Sequence, residues 1–98
     1  MIYKIKISKQ ARTDKNDIVN YLAQFSITAP LKFKSELKKN LDIITKMPNI
    51  FALWDYDPRY RHVVVFGSYV LFYTVDEINK LVYVYRILHG SQDIEKIL

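Results

Sequence analysis

Residues 60–89 read YRHVVVFGSYVLFYTVDEINKLVYVYRILH. Three apolar, β-branched and aromatic runs lie at 60–66, 70–75 and 81–89. Gly67-Ser68 separates the first two, and Asp76-Glu77-Ile78-Asn79-Lys80 separates the last two. Short turn-forming connections between such runs predict an antiparallel meander of three strands. The final strand carries Arg86 between Val84 and Leu88. Alternate residues of a strand share a face, so the pattern puts Arg86 on the side of Val82, Val84 and Leu88. A guanidinium there needs a carboxylate, backbone carbonyls or a bound anion, and Asp93 or Asp76 are the carboxylates to expect.

Ahead of the meander, residues 50–58 hold Phe51, Trp54 and Tyr56 together with Asp55 and Asp57. This segment is expected to be a loop that packs on the body. Before it, Phe33, Leu37, Leu41 and Ile44 form the apolar stripe of a helix ending near residue 47, where Pro48-Asn49 follows. Lys32, Lys39 and Lys46 share its far face. An earlier helix over about 10–25 carries Ala11, Ile18, Leu22 and Phe25 on one stripe, with Tyr21 beside it. The SITAP stretch at 26–30 breaks the two apart. Ser26 or Thr28 can cap the second helix, and Pro30 is tolerated only in its first turn. Residues 1–8 alternate, with Lys4 and Lys6 outward and Tyr3, Ile5 and Ile7 inward, which predicts a half-buried strand. Residues 92–98 suggest a short helical tail. The expected fold class is α+β, in the order βααβββ, within a single domain spanning 1–98. A helical hairpin would pack on a mainly antiparallel four-stranded sheet, with a brief C-terminal helix. The other face of the sheet, or its rim, would be left to bind.

The chain has 98 residues and no cysteine, which excludes disulfides, thiolate metal sites and a cysteine nucleophile. Two histidines are too few for a histidine-rich metal cluster, and neither metal nor cofactor is expected. The opening MIYKIKISKQ lacks a signal-peptide core and no run approaches a membrane span, so the expectation is a cytoplasmic protein with no membrane partner. The net charge is +5. Residues 1–50 hold ten Lys/Arg against four acids, while residues 51–98 hold five against six. This excess favours acidic partners, either nucleic acid or an acidic protein segment.

Conventional catalytic motifs are missing. There is no phosphate-cradling glycine loop, no Gly-x-Ser-x-Gly elbow and no His-Glu-x-x-His. Ser68 belongs to a turn, and Asp55 and Asp57 are more simply turn formers than a carboxylate pair. Arg59 and Arg61 flank Tyr60 at the entry to the meander. His89 ends the last strand and could move a proton near neutral pH. Tyr69, Tyr73, Tyr83 and Tyr85 interleave with these groups and could stack bases, although tyrosines at such density mostly serve core and rim.

These residues resemble the RelE/ParE superfamily of bacterial type II toxin–antitoxin toxins. The similarity rests on Arg61 entering the first meander strand, the Gly67-Ser68-Tyr69 turn, and an apolar strand ending in Tyr73. It continues with Arg86, Ile87, Leu88, His89, Gly90 and Asp93 in the order R-I-L-H-G-x-x-D. The N-terminal strand and the helix pair, with Phe33, Leu37 and Pro48, fit the same pattern. The resemblance implies a growth-inhibiting toxin of the kind that stabilises plasmids, held silent by a cognate antitoxin. Operator DNA would be bound through the toxin–antitoxin complex. RelE-like members are ribosome-dependent mRNA endonucleases, or mRNA interferases; ParE-like members inhibit DNA gyrase without cutting RNA. Under the nuclease reading, Arg61 and Arg86 would hold phosphate and His89 would act as acid or base. Lys32, Lys39, Lys46 and Arg59 would meet the antitoxin or another polyanion. Two departures favour the ParE-like branch. Val70 stands where many nucleases carry an arginine, and residues 91–98 contain no tyrosine. Losing one charge-stabilising donor at a reacting group costs about 3 kcal/mol of transition-state stabilisation.

Overall fold

The computed structural model describes residues 2–98. Met1, the first residue of the expected strand, lies outside the described residues. The chain runs β1 (Lys4–Ile7), α1 (Lys9–Ala23), α2 (Ala29–Lys46), β2 (Leu53–Trp54), β3 (Asp57–Val65), β4 (Tyr69–Asp76), β5 (Leu81–His89) and α3 (Ile94–Ile97). The sheet order is β1-β5-β4-β3-β2. β1 lies parallel to β5, and every other pairing is antiparallel.

The α+β class, the helix pair and the meander stand as the residue pattern implies. One strand was not legible. Leu53–Trp54 pairs with β3 at Arg61 and Asp57, giving five strands where four were expected. Two residues are too few for alternation to register. What holds this strand is tertiary: the Trp54 ring meets Phe72 edge-on at 5.0 Å and lies 5.2 Å from Tyr56.

Local chemistry starts and stops both helices. Ser8 Oγ accepts from the Ala11 N–H at 2.9 Å, capping α1, and donates to the Tyr85 carbonyl at 2.7 Å. The cap therefore also fastens the helix start to β5. At the second helix, Ser26 rather than Thr28 supplies the side-chain bonds. Its Oγ accepts from the Thr28 and Ala29 N–H groups at 3.2 and 3.1 Å. Pro30 sits in the first turn, where its missing N–H costs nothing. Because α1 ends at Ala23, Phe25 leaves the apolar stripe assigned to it and is 71% exposed at the hairpin tip.

Both helices cover one face of the sheet. Ala11, Ile18, Phe33, Leu37 and Ile44 from the helices meet Val65, Tyr69, Leu71, Tyr73, Val82, Val84 and Ile87 from the strands. Phe33 is fully buried and packs edge-on to Phe66 and Tyr69. Truncating such a ring to alanine costs about 3–5 kcal/mol. That contact also steadies the β3–β4 turn, where Phe66 and Gly67 both take positive φ.

β5 contains a bulge. Tyr73 pairs with Val84 and Phe72 with Arg86, so Tyr85 has no partner. The extra residue reverses the alternation. Val82, Val84 and Ile87 all enter the helix-side core, whereas Leu88 joins Tyr60 and Phe72 on the opposite face. Arg86 therefore shares a face with Leu88 but not with Val82 or Val84, contrary to the strict period-two reading. The opposite face is also partly occupied, since Ile94 and Leu98 of the C-terminal segment pack on Tyr60, Phe72 and Leu88.

Tyr73 is fully buried, and its hydroxyl donates to the Pro48 carbonyl at 2.7 Å. Burial pushes the phenol from its ordinary value of 10 up to about 12. The folded state therefore favours the neutral phenol. Its contribution is intact below pH 10 and is lost as pH rises from 10 to about 12. Tyr73→Phe should lower stability at pH 7 by about 1 kcal/mol in urea denaturation. It should also flatten part of the alkaline decline, and an alkaline profile identical to wild type would contradict this role.

Candidate functional site

The three groups expected to handle phosphate can be placed by register. Arg61 lies opposite Tyr73, and His89 lies opposite Tyr69. Both belong to the helix-side positions, but they are four residues apart along β4 and on strands either side of it. That separation is about 13 Å along the strands and about 10 Å across them. Arg86 lies opposite Phe72, on the other face. A site acting on one phosphodiester needs its donors within about 3 Å of the oxygens where charge develops. The sheet does not bring Arg61, Arg86 and His89 to one such point.

Each of the three also has an internal engagement. β1 ends at Ile7, so the edge of β5 beside Arg86 and Ile87 has no neighbouring strand. Asp14, in the second turn of α1, fills that gap. Its carboxylate accepts from Arg86 Nε at 2.7 Å, from Arg86 Nη2 at 3.0 Å and from the Ile87 N–H at 3.0 Å. The Arg86 and Asp14 side chains are only 19% and 12% exposed. Hydrogen bonding to Asp14 holds the guanidinium above its ordinary pKa, against the opposing pull of burial. The partner is thus neither Asp93 nor Asp76. No spacing rule links positions 14 and 86, so the pairing could not have been found from the chain alone.

Arg61 Nη1 donates to the Phe51 carbonyl at 2.8 Å and more weakly to that of Asn49 at 3.4 Å. Together with the Tyr73 hydroxyl it pins residues 48–51 to the sheet. Phe51 and Trp54 pack on the body as expected, and Arg61 is one reason, whereas Tyr56 is exposed. His89 Nδ1 accepts from the Ser91 N–H at 3.0 Å and lies 2.7 Å from Ser91 Oγ. The neutral ring then carries its proton on Nε2. The ring stands edge-on to Tyr69 at 5.3 Å and borders an open depression of about 390 Å3 with Asp17, Ile18, Tyr21 and Ser91.

The lysines are arranged differently. Lys32, Lys39 and Lys46 are exposed along α2 at seven-residue spacing, so they lie nearly in line along its outer face. Lys32 and Lys39 border one shallow depression with Glu36, Asn40 and Val64. Lys38, Lys39 and Lys46 border a second with Asp42 and Met47. Arg59 does not join them. It is five residues, or about 17 Å, from Val64 along β3. Its guanidinium is bound to Asp57 at 2.6 Å and lies over the Tyr60 ring. That bond holds the half-buried Asp57 carboxyl below its ordinary range. Among the described residues, no group of three or more histidine, aspartate or glutamate side chains is placed to hold a metal, and no helix is long and apolar enough to cross a membrane.

A family model described as "ParE toxin of type II toxin-antitoxin system, parDE" matches residues 5–94. Among solved structures, the chromosomal ParDE system of P. aeruginosa superposes with a TM-score of 0.73 at 15% identity, covering 90% of this chain and 96% of that one. The intact RelBE toxin–antitoxin complex of E. coli gives 0.66 at 20% identity, covering 92% and 99%. A free E. coli RelE toxin with two arginines changed to alanine gives 0.69 at 19% identity, covering 99% and 93%. At such identities these structures show a shared fold. No curated protein sequence matches the chain.

Asp14→Ala should destabilise the fold by about 2–3 kcal/mol, because it leaves a half-buried guanidinium and an edge N–H without an acceptor. Adding Arg86→Leu should recover part of that loss. Urea denaturation of the four proteins of the double-mutant cycle reads the coupling, and strictly additive effects would show that the pair carries none.

Proposed function

This chain belongs to the ParE toxin family of type II toxin–antitoxin systems, and we propose that it arrests growth by binding DNA gyrase rather than by cutting RNA. The observation that carries this reading is the dispersal of its cationic groups. Arg61 is spent on loop carbonyls, Arg86 on Asp14, and His89 lies at the far end of the sheet from Arg61. Phosphodiester cleavage needs cations and an acid–base group preassembled around one phosphate. The sequence departures agree with this: Val70 in place of an arginine, and a tail without tyrosine. The groups that do face solvent together are the α2 lysines, which suit a broad electrostatic contact.

In this reading the toxin is silenced by a cognate antitoxin, as the RelBE and ParDE neighbours suggest by their description as complexes or systems. An acidic, disordered antitoxin segment would fold as it wraps the helix pair and sheet, with carboxylates meeting Lys32, Lys39 and Lys46. Operator DNA would be engaged by the complex, mainly through the antitoxin.

Two assays on the purified chain separate the readings. It should inhibit gyrase-driven supercoiling and leave mRNA intact on programmed ribosomes. His89→Ala, which removes the acid–base group that the nuclease reading requires, should retain growth arrest. Ribosome-dependent mRNA cleavage that His89→Ala abolishes would overturn the proposal in favour of an mRNA interferase.

A further inference from the structure

We propose that the tip of the α1–α2 hairpin is the surface by which this toxin grips its protein target, and that the target offers there an apolar cleft rimmed by carboxylates. This inference rests on the reading that the toxin acts by binding a protein. Four large apolar side chains sit at or next to the tip without covering. Phe25 is 71% exposed and Ile27 is 91% exposed, with Tyr21 and Leu31 also open to solvent. Apolar side chains scattered singly over a surface need no explanation, but a cluster on one projecting turn marks an interaction site.

The tip is also ordered before any partner arrives. Phe25 N–H and Ser26 N–H both donate to the Leu22 carbonyl, at 3.1 Å each. Ser26 Oγ then accepts from the two N–H groups that start α2. Buried Pro30 and Phe33 anchor the other side of the turn. Tyr21 and Phe25 hold each other edge-on at 5.1 Å. A turn fixed in this way loses little conformational freedom on docking, so apolar burial there converts efficiently into affinity.

Charge identifies the occupant. Residues 18–35, IVNYLAQFSITAPLKFKS, contain no acid, and Lys32 and Lys34 are exposed just beyond the apolar group. An acidic rim around an apolar cleft complements this pattern. A second copy does not, since a two-fold contact through the tip would bring like lysines together on a chain that already carries +5.

The test uses Phe25→Ser/Ile27→Ser and, separately, Lys32→Glu/Lys34→Glu. All four positions are exposed, and each variant should melt within about 3 °C of wild type. The serine variant should need at least about tenfold more protein to inhibit gyrase supercoiling. The glutamate variant should be weakened more at low salt than at high salt, which a purely structural role would not produce. Unchanged inhibition by the serine variant would overturn the inference. So would sedimentation showing a wild-type dimer that this variant loses, or vesicles with anionic lipid that bind wild type but not the variant. If wild type fails to inhibit gyrase, the gyrase reading falls, and growth arrest on induction decides the tip's role. Arrest lost in the folded serine variant supports docking on another protein, and arrest retained rejects it. A wild-type chain that arrests nothing overturns both.

Discussion

Asp14 accepts three donors from β5, two from the Arg86 guanidinium and one from the Ile87 backbone. The place where it does so is set by the end of β1. Up to Ile7 the edge of β5 is satisfied by a parallel strand, and beyond it the chain turns into α1. An open edge N–H and a half-buried cation would otherwise remain beside a hydrophobic core, each costing more than a typical net hydrogen bond returns. One carboxylate answers both needs. In doing so it ties α1 to the sheet, alongside the Ser8 cap that bonds Tyr85, and it engages the Arg86 guanidinium inside the fold.

The bulge at Tyr85 makes this arrangement possible. Without the extra residue, Arg86 would fall on the face that carries Val82 and Val84, against the buried stripe of the helices. With it, Ile87 takes the core position and Arg86 turns to the side of Phe72 and Leu88, from which its guanidinium reaches the strand edge. One unpaired residue thus settles which side chains are core and which cation can be neutralised from α1. The same sheet holds Arg61 against the carbonyls of residues 49 and 51. With Arg59, Arg61 and Arg86 held by internal acceptors, the remaining positive charge lies in Arg12 and the lysines.

Five of the eleven lysines, Lys32, Lys34, Lys38, Lys39 and Lys46, are exposed along α2. Lysine ammonium groups on flexible stems are suited to diffuse attraction of acidic partners and poorly suited to fixed bidentate clamping of a single phosphate. An apolar turn at the end of the helix pair, with Phe25 and Ile27 exposed, lies next to them. Family membership gives the toxin–antitoxin context, and the internal engagements of Arg61 and Arg86 are the observations on which the proposed binding mode rests.

The order of elements, the meander, the two amphipathic helices and the family resemblance were all readable from the chain. Each depends on local periodicity, turn chemistry or the linear order of residues such as Gly67, Tyr69, Arg86 and His89. The fifth strand was hidden because two residues carry no period, and Leu53–Trp54 exists only through pairing with β3 and the packing of Trp54 on Phe72. The face of Arg86 was misread because a bulge shifts phase without changing composition. Its partner was unreadable because Asp14 and Arg86 are 72 positions apart and meet only after β1 has paired with β5. Likewise Phe25, which fits the stripe of α1 by spacing, is exposed because the helix stops two residues earlier. Short-range pattern determined the elements and the family resemblance. Long-range pairing decided which charges are spent inside the fold and which remain outside, because an ion pair or a strand register is set by distance in space, and sequence separation carries almost no information about that distance.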